Sequence, residues 1–235
     1  MKKLLLSILI LALVATTVLW VRHGGGMPYP DLSTAPRLAA SSLEEVLSYS
    51  EPIGNVAVNR DGRLFFTVHP ESRPTGNRLL EYVAGAAVPY PSGAAQSQLF
   101  GAVLGVSIDP FNRLWTIDHG NHGLRPARVV CIDLDTGEIL LDLPFDKSIA
   151  PAGSFLQDLQ ISADGRTVVI ADASFWRKMP ALVVYNVANG KARRVLESHE
   201  SVAAEDYVIR NHDREMKYLG GVVDLRGGVD GIALG

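Results

Sequence analysis

A phrase of apolar and turn residues occurs three times in this sequence, at an interval of about fifty residues. The three copies are VAVNRDGRLFFT at 56–67, VSIDPFNRLWTI at 106–117 and LQISADGRTVVI at 159–170. Arg63, Arg113 and Arg166 within them are 50 and 53 positions apart. A period of this length, built from short β-runs and polar turns, predicts a propeller, because solenoid helices would instead space their apolar residues by about 3.6.

Each unit shows the pattern of paired hairpins. In the first unit, apolar residues alternate with polar or small ones on both sides of the turn at 59–62, as a hairpin with one buried face requires. Gly62 and Gly165 follow aspartates in their turns and accept positive φ, and Asn112 takes that place in the middle unit. Further turns at 135–137 and 188–190 mark second hairpins, which gives about four strands in each unit, as in a propeller blade.

The fold class predicted is therefore all-β, a β-propeller of which this chain holds about three blades. The segment Val229–Leu234 (VDGIAL) reads as the first strand of a fourth. Six blades at this period need about 300 residues or more, so we expect the sequence to be part of a longer protein. Residues 36–235 are assigned to this partial propeller domain.

The N-terminus carries the second strong pattern. Lys2 and Lys3 precede an uncharged apolar run from Leu4 to Val21, which is just long enough to span a bilayer. Flanking lysines favour a cytoplasmic N-terminus and export of the chain beyond the apolar run. We predict that residues 1–21 are a signal anchor or a cleaved signal peptide and that residues 22–35 are a linker. The protein is then periplasmic or extracellular, with a membrane contact through residues 4–21.

Composition excludes some partners. The net charge is −3, from 22 basic and 25 acidic residues, and no basic cluster with interleaved aromatic residues occurs, so we expect no nucleic-acid partner. The single cysteine, Cys131, lies in an apolar strand run and is predicted to be a buried small hydrophobic residue rather than half of an internal disulfide.

Five phrases in order resemble the major royal jelly protein/Yellow family. They are GNVAVNRDGRLFFTVHP (54–70), GVSIDPFNRLWTIDHG (105–120), LQDLQISADGRTVVIADAS (156–174), PALVVYNVANGKARRVLESHESV (180–202) and VDGIAL (229–234). The resemblance implies a six-bladed, usually exported propeller that holds a small organic ligand near its central channel. Insect relatives include dopachrome-converting Yellow proteins and salivary binders of biogenic amines. Those relatives usually carry disulfides, which one cysteine cannot form, so this chain is similar to a bacterial-type member.

A neighbouring propeller family, the gluconolactonase/regucalcin type, supplies the enzyme alternative. The resemblance to it implies a Ca²⁺ or Mg²⁺ ion held at the channel by a Glu, an Asn and an Asp from different blades. In this sequence the Glu position falls near Gly54 and Asn55, the Asn position falls near Asp158, and only Asp230 matches a ligand. Asn55, Asp158 and Asp230 are thus candidates for a different oxygen site, for a metal or for an organic ligand.

Other candidate ligand-binding residues have structural alternatives. Asp118 and Asp172 follow equivalent strands, where carboxylates either reach a ligand or cap turns through backbone N–H groups. Trp115 and Trp176 can stack on an aromatic or cationic ligand, although a tryptophan within a strand, such as Trp115, also suits a core. The run His119-Gly120-Asn121-His122 has a chelating spacing without a third ligand nearby, which favours a solvated loop.

A polar insertion at 197–226, which includes His212 and Asp213, breaks the period and is either a loop that shapes the channel mouth or a polar surface loop.

Three functions follow from the sequence: a binder of a small organic molecule, a metal-dependent hydrolase, and a scaffold for protein contact. The residues do not decide whether the chain is an enzyme. A carboxylate-lined channel favours an aromatic or cationic ligand bound without metal.

Overall fold

The computed structural model of this chain describes residues 1–211 and 214–234. These residues form two compact units, one of residues 1–38 with 204–227 and the other of residues 39–203 with 228–234. His212 and Asp213 of the polar insertion, and the terminal Gly235, lie outside the described residues.

The chain begins with helix α1 (Lys2–His23), followed by the short strand β1 (Met27–Pro28) and a 3₁₀ turn at Ala40–Ser42. Helix α1 has 22 residues, and the described chain contains no other helix that is long and apolar enough to cross a membrane. A helix of this kind near the N-terminus fits both a signal sequence and an anchor, by length and composition.

Among the described residues, three four-stranded antiparallel sheets form most of the larger unit. The first sheet contains β2 (Ile53–Val58), β3 (Leu64–Val68), β4 (Leu79–Val83) and β5 (Ala86–Pro89), with a 3₁₀ turn at Pro70–Ser72. After helix α2 (Gly93–Leu99), the second sheet contains β6 (Val103–Ile108), β7 (Arg113–Asp118), β8 (Arg128–Asp133) and β9 (Ile139–Pro144), with the short turn α3 (Gly120–Gly123). The third sheet contains β10 (Leu156–Ile161), β11 (Thr167–Asp172), β12 (Ala181–Asn186) and β13 (Lys191–Val195). In each sheet the strands pair in chain order, which confirms the prediction of four strands per unit.

The first turn of each sheet has the predicted backbone. Gly62, Asn112 and Gly165 have φ values of 82°, 59° and 68°, in the left-handed region that Gly and Asn adopt most readily. The third turn is one residue longer than the sequence alignment indicates, because the carbonyl that closes it belongs to Thr167 rather than Arg166. Arg166 therefore lies inside its turn, whereas Arg63 and Arg113 accept the closing bond in theirs.

Two apolar clusters lie on opposite faces of the second sheet. Along β8, Val129 and Cys131 pack toward the third sheet, while Val130 and Ile132 pack toward the first. This alternation follows from the two-residue period of a strand, and it places Cys131 in the core as predicted. A third cluster covers the other face of the first sheet, where Tyr49 meets Phe66 edge-on at 5.2 Å between ring centres.

The first strands of the three sheets, β2, β6 and β10, lie side by side, with β6 in contact with both of the others. Each of them carries a β-bulge near its start, where the pairing register with the second strand shifts. A bulge redirects side chains and increases local twist, so the three bulges set the direction of the polar residues beside them.

The smaller unit joins the N-terminal residues to the polar insertion. Its other strands are β14 (Tyr207–Val208), β15 (Arg210–Asn211), β16 (Arg214–Glu215), β17 (Lys217–Tyr218) and β18 (Val223–Asp224), with a 3₁₀ turn at Leu219–Gly221. Strand β1 pairs in parallel with β14, and the Gly26 N–H donates to Asp224 Oδ2 at 2.8 Å. The segment predicted as a linker, residues 22–35, thus contains the end of α1 and one of the paired strands.

The predicted opening strand of a fourth sheet, Val229–Leu234, is not a strand in the structure. Its backbone bonds to the third sheet region instead: the Val229 N–H donates to Val202 O at 2.9 Å, and the Ile232 N–H donates to Asp158 Oδ2 at 3.0 Å. A strand forms only where a partner strand takes its backbone groups, and no described strand pairs with this segment.

Candidate functional site

Three of the predicted site residues meet beside the bulges of the first strands. Asn55 and Asp158 take the same position in β2 and β10, and Gly105 takes that position in β6 between them. A Cβ at Gly105 would lie 2.7 Å from Ile117 Cγ2 and 3.1 Å from Asp158 Cα, so glycine permits the close approach of the strands. Asn55 Nδ2 and Asp158 Oδ1 are 3.5 Å apart across it.

Local bonds hold both side chains in place. Asn55 Oδ1 accepts from the Val56 N–H at 2.7 Å, while the Asn55 backbone N–H donates to Thr67 Oγ1 at 3.0 Å. Asp158 Oδ1 accepts from the Leu159 N–H at 2.8 Å, and its Oδ2 accepts from the Ile232 N–H at 3.0 Å. The carboxylate is therefore oriented before any ligand arrives.

Asp230 completes this group of polar residues, which we call the acidic site (Asn55, Asp158 and Asp230, with His69 nearby). Partial burial raises the pKa of Asp230, and the negative charge of Asp158 raises it further, while His69 acts in the opposite direction. Asp230 lies two residues before Ile232, whose N–H donates to Asp158 Oδ2 at 3.0 Å, so the two carboxylates belong to adjoining segments and their charges repel. A cavity of about 310 Å³ that includes Asn55 and Asp158 runs along the first strands beside the site.

Two histidines and a glutamate contact one another in the loops that follow β3 and β7. The His122 ring donates from Nε2 to Glu71 Oε1 at 2.9 Å and stacks on Phe155 at 4.7 Å. The hydrogen bond from His122 lowers the pKa of Glu71. His119 is buried, and burial, together with the charge of His122, lowers its pKa to about 4.

Sequence reasoning missed His69 and Glu71, although a signal existed. His69 follows Val68 as His119 follows Asp118, at the same offset of 50 residues as the first two repeats. The solvated loop predicted for residues 119–122 is wrong at His119, which is 1% exposed. Among the described residues, no group of three or more His, Cys, Asp or Glu is arranged to hold a metal ion.

Asp118 and Asp172 cap loops, the structural alternative predicted for them. Asp118 Oδ2 accepts from the Gly101 and Ala102 N–H groups at 2.6 and 2.8 Å, and its Oδ1 accepts from the Gly120 N–H at 2.8 Å.

Asp172 fills the equivalent position in the third sheet. It accepts from the Phe155 and Ser174 N–H groups at 2.7 and 2.9 Å and forms an ion pair with Arg194 at 2.8 Å. Burial is the largest influence on its carboxyl and raises the pKa of Asp172, against these bonds. Both carboxylates are buried and engaged by backbone N–H groups, so they act as loop-organising groups.

The two tryptophans proposed for ligand stacking differ in their exposure to solvent. Trp115 is 1% exposed in the cluster between the second and third sheets, and its Nε1 donates to Asp109 Oδ2 at 2.8 Å. It is a core residue, as the alternative interpretation of its strand position indicated. Trp176 is 41% exposed in the loop after β11, edge-on to Phe175 at 4.6 Å, and it presents aromatic surface to solvent.

Comparison with known proteins identifies one family. The family model for major royal jelly proteins matches residues 102–219, which are 118 of the 235 residues. A search of curated proteins finds no match.

Solved structures show a more distant likeness. A protein described as an oxidoreductase (glucose dehydrogenase) from Thermus thermophilus aligns over 61% of this chain and 46% of its own, with 13% identity and a TM-score of 0.44. An auxiliary nutrient binding protein from Bacteroides thetaiotaomicron aligns over 62% of this chain and 32% of its own, with 14% identity and a TM-score of 0.40. The chain thus spans less than half the length of either structure.

Proposed function

The chain belongs to the major royal jelly protein family, and from this membership and the acidic site we propose that it is an exported β-propeller protein that binds a small cationic organic molecule. Its three sheets are blades of a six-bladed propeller, and the side-by-side strands β2, β6 and β10 line part of the central channel. The ligand enters where these strands begin, beside Asn55, Asp158 and Asp230.

The observation that carries the proposal is the pair of carboxylates without a basic partner. Among residues 1–211 and 214–234, neither Asp158 nor Asp230 forms an ion pair with a lysine or arginine. Burial raises the pKa of Asp230, and the negative charge of Asp158 raises it further. An ammonium group placed between them removes this repulsion and gains charge-assisted hydrogen bonds.

Apolar surface next to the carboxylates suits the body of an organic ligand. Val56 and Val58 of β2 line the 310 Å³ cavity and are 46% and 56% exposed. Ligand pockets typically combine such surface with a few oriented polar groups. Of the two tryptophans considered for stacking, Trp176 remains accessible for this role and Trp115 does not.

A Ca²⁺ or Mg²⁺ ion, as in a lactonase, is less well served by the same residues. Ca²⁺ takes six to eight oxygen ligands, of which the three side chains here provide a minority. Asn55 Oδ1 and both oxygens of Asp158 already accept backbone N–H groups, which reduces their availability to a metal. The organic cation therefore matches the donor set better.

The test is calorimetry on the full chain, purified in detergent and treated with EDTA, with tyramine as an aromatic amine and 4-ethylphenol as its uncharged counterpart. We expect tyramine to bind without metal and 4-ethylphenol to bind at least tenfold more weakly. Asp230→Asn removes one charged partner and is expected to weaken tyramine binding about tenfold or more, since hydrogen bonds to charged groups contribute about 1.5–3 kcal/mol.

Glu138→Gln is the matched control, because Glu138 is an exposed carboxylate in the turn between β8 and β9. It should leave tyramine binding unchanged. Equal losses in both variants would attribute the effect to net charge and not to the site. Lactone hydrolysis that requires Ca²⁺, with no metal-free binding of tyramine, would establish the hydrolase instead.

A further inference from the structure

A second cavity, of about 670 Å³, lies among the β3–β4 loop, the β7–β8 loop and residues 97–102, which connect the first sheet to the second. None of its lining residues belongs to the cavity beside the acidic site. Four arginines line it, Arg73, Arg78, Arg125 and Arg128, and we call it the arginine cavity. Four of the 22 basic residues thus line one cavity, although the net charge of the chain is −3.

Two of these arginines are fixed by the protein. Arg78 donates from Nε to Gly101 O at 2.9 Å and from Nη1 to Gly76 O at 3.0 Å. Arg128 donates from Nη1 to Gln98 O at 2.9 Å and forms an ion pair with Asp142 at 3.2 Å. Each guanidinium has five N–H donors, so both side chains are held in place and still have donors for a ligand.

The other two arginines are exposed and available. In the part of the chain that the structure describes, the side chains of Arg73 and Arg125 form no hydrogen bond or ion pair. They lie on loops after β3 and β7, and Pro70, Pro74 and Pro126 stiffen the backbone around them. The cavity therefore combines two anchored guanidinium groups with two that can close on a bound molecule.

The charged residues that line the cavity are mostly basic. Asp118 is the only acidic residue that lines it among the described residues, and three backbone N–H groups already occupy its carboxylate. Arginine pairs bidentately with carboxylate and phosphate groups, and a cavity of this volume is in the range that holds small molecules. We propose that the arginine cavity binds a small polyanion, a molecule with two or more phosphate or carboxylate groups.

The test uses the full chain in detergent and measures binding of tripolyphosphate and of citrate by calorimetry at low and high salt. We expect at least one of the two to bind, and we expect the affinity to fall as salt rises, because the contacts are ionic. The comparison of the two ligands identifies whether phosphate or carboxylate is preferred. The double variant Arg73→Gln, Arg125→Gln removes no internal contact and should reduce the affinity at least tenfold.

A second cavity variant and a control variant are measured in the same way. Arg78→Gln should reduce the affinity at least as strongly, with thermal unfolding measured alongside to verify that the loop at Gly101 is intact. Arg60→Gln changes an exposed arginine in the turn between β2 and β3, outside the cavity, and should bind the anion as the unaltered chain does. No binding of either anion, or equal losses in the Arg60 and Arg73/Arg125 variants, would overturn the proposal.

Discussion

His119 is a histidine in an environment that strongly disfavours its charged form. It is 1% exposed, its Nδ1 accepts from the His122 N–H at 3.0 Å, and its Nε2 has no hydrogen-bond partner among the described residues. Burial therefore favours the neutral ring and lowers the pKa of His119 to about 4, from an ordinary value of 6.5. The unfolded chain takes up this proton at higher pH than the folded chain does.

This difference predicts acid destabilisation. The contribution of neutral His119 to folding is fully present above about pH 6.5 and is lost as the pH falls toward 4. The loss is on the order of 3 kcal/mol, from about 1.4 kcal/mol for each pH unit. Urea unfolding from pH 7 to pH 4.5 should show it, and His119→Gln should reduce the pH dependence. His199→Gln, at an exposed histidine, should leave the pH dependence unchanged; a similar change in both variants would contradict the assignment.

The residues of the acidic site show how far sequence reasoning reaches at this scale. Asn55, Asp158 and Asp230 were predicted from the resemblance to the gluconolactonase/regucalcin type, and hydrogen bonds connect Asp158 to Asn55 and to the segment that carries Asp230. The role of Asp118 could not be decided, because a strand-end carboxylate looks the same in sequence whether it faces a ligand or caps a loop. Only the positions of Gly101 and Ala102, distant in sequence, distinguish the two.

At the scale of elements, the turn between β6 and β7 depends on one buried carboxylate. Asp109 Oδ1 accepts from the Phe111 and Arg113 N–H groups, and its Oδ2 accepts from Trp115 Nε1 and pairs with Arg113 at 2.7 Å. The first turn uses Asn59 for the same two backbone bonds, to Asp61 and Arg63. The first residue of each of these two turns therefore provides a side-chain oxygen that accepts two backbone N–H groups. In the second sheet, the same side chain also pairs with Arg113 and accepts from the Trp115 indole.

We expect Asp109→Ala to lower the free energy of unfolding by about 3–5 kcal/mol, because it leaves a partly buried guanidinium and a buried indole N–H without their acceptor. Asp109→Asn keeps a side-chain oxygen that accepts from the two backbone N–H groups, so it should lower the free energy of unfolding by less. Asp164→Ala is the control, since Asp164 is an exposed residue of the third turn. Urea unfolding measures all three, and a loss for Asp109→Ala no larger than for Asp164→Ala would be contrary to this account.

The elements were predictable where the sequence repeats and not elsewhere. Apolar alternation and Gly or Asn in the turns are local signals, so the four strands of each sheet could be predicted. The extra residue in the third turn could not, because register depends on which carbonyl closes the turn. Strands β14 to β18 have two residues each, too few to show a period, and the grouping of 204–227 with the N-terminus was therefore not visible.

At the scale of the whole molecule, the larger unit carries two groups of charged side chains with opposite sign. The acidic site has two carboxylates without a basic partner among the described residues, and the arginine cavity has four guanidinium groups facing one engaged carboxylate. The net charge of −3 reveals neither group, because it adds the acidic and the basic residues of the whole chain. The two sites can be tested independently, since a variant in one removes no lining residue of the other.

The remaining prediction concerns the attachment of the molecule to a membrane. Helix α1 has 22 residues, or about 33 Å at 1.5 Å per residue, against a hydrocarbon core of about 30 Å. Lys2 and Lys3 favour retention of its N-terminus in the cytoplasm. We therefore expect a reporter fused after the last residue to be active only outside the cytoplasm and to remain in the membrane fraction after carbonate washing.

Leu11→Arg places a charge at the helix centre, at a cost of about 2.5–3.5 kcal/mol for insertion into the membrane, and should reduce export. Leu38→Arg, at an exposed position beyond the helix, should not. Release of a shortened soluble protein would establish cleavage of the helix, and reporter activity in the cytoplasm would rule out export by either route.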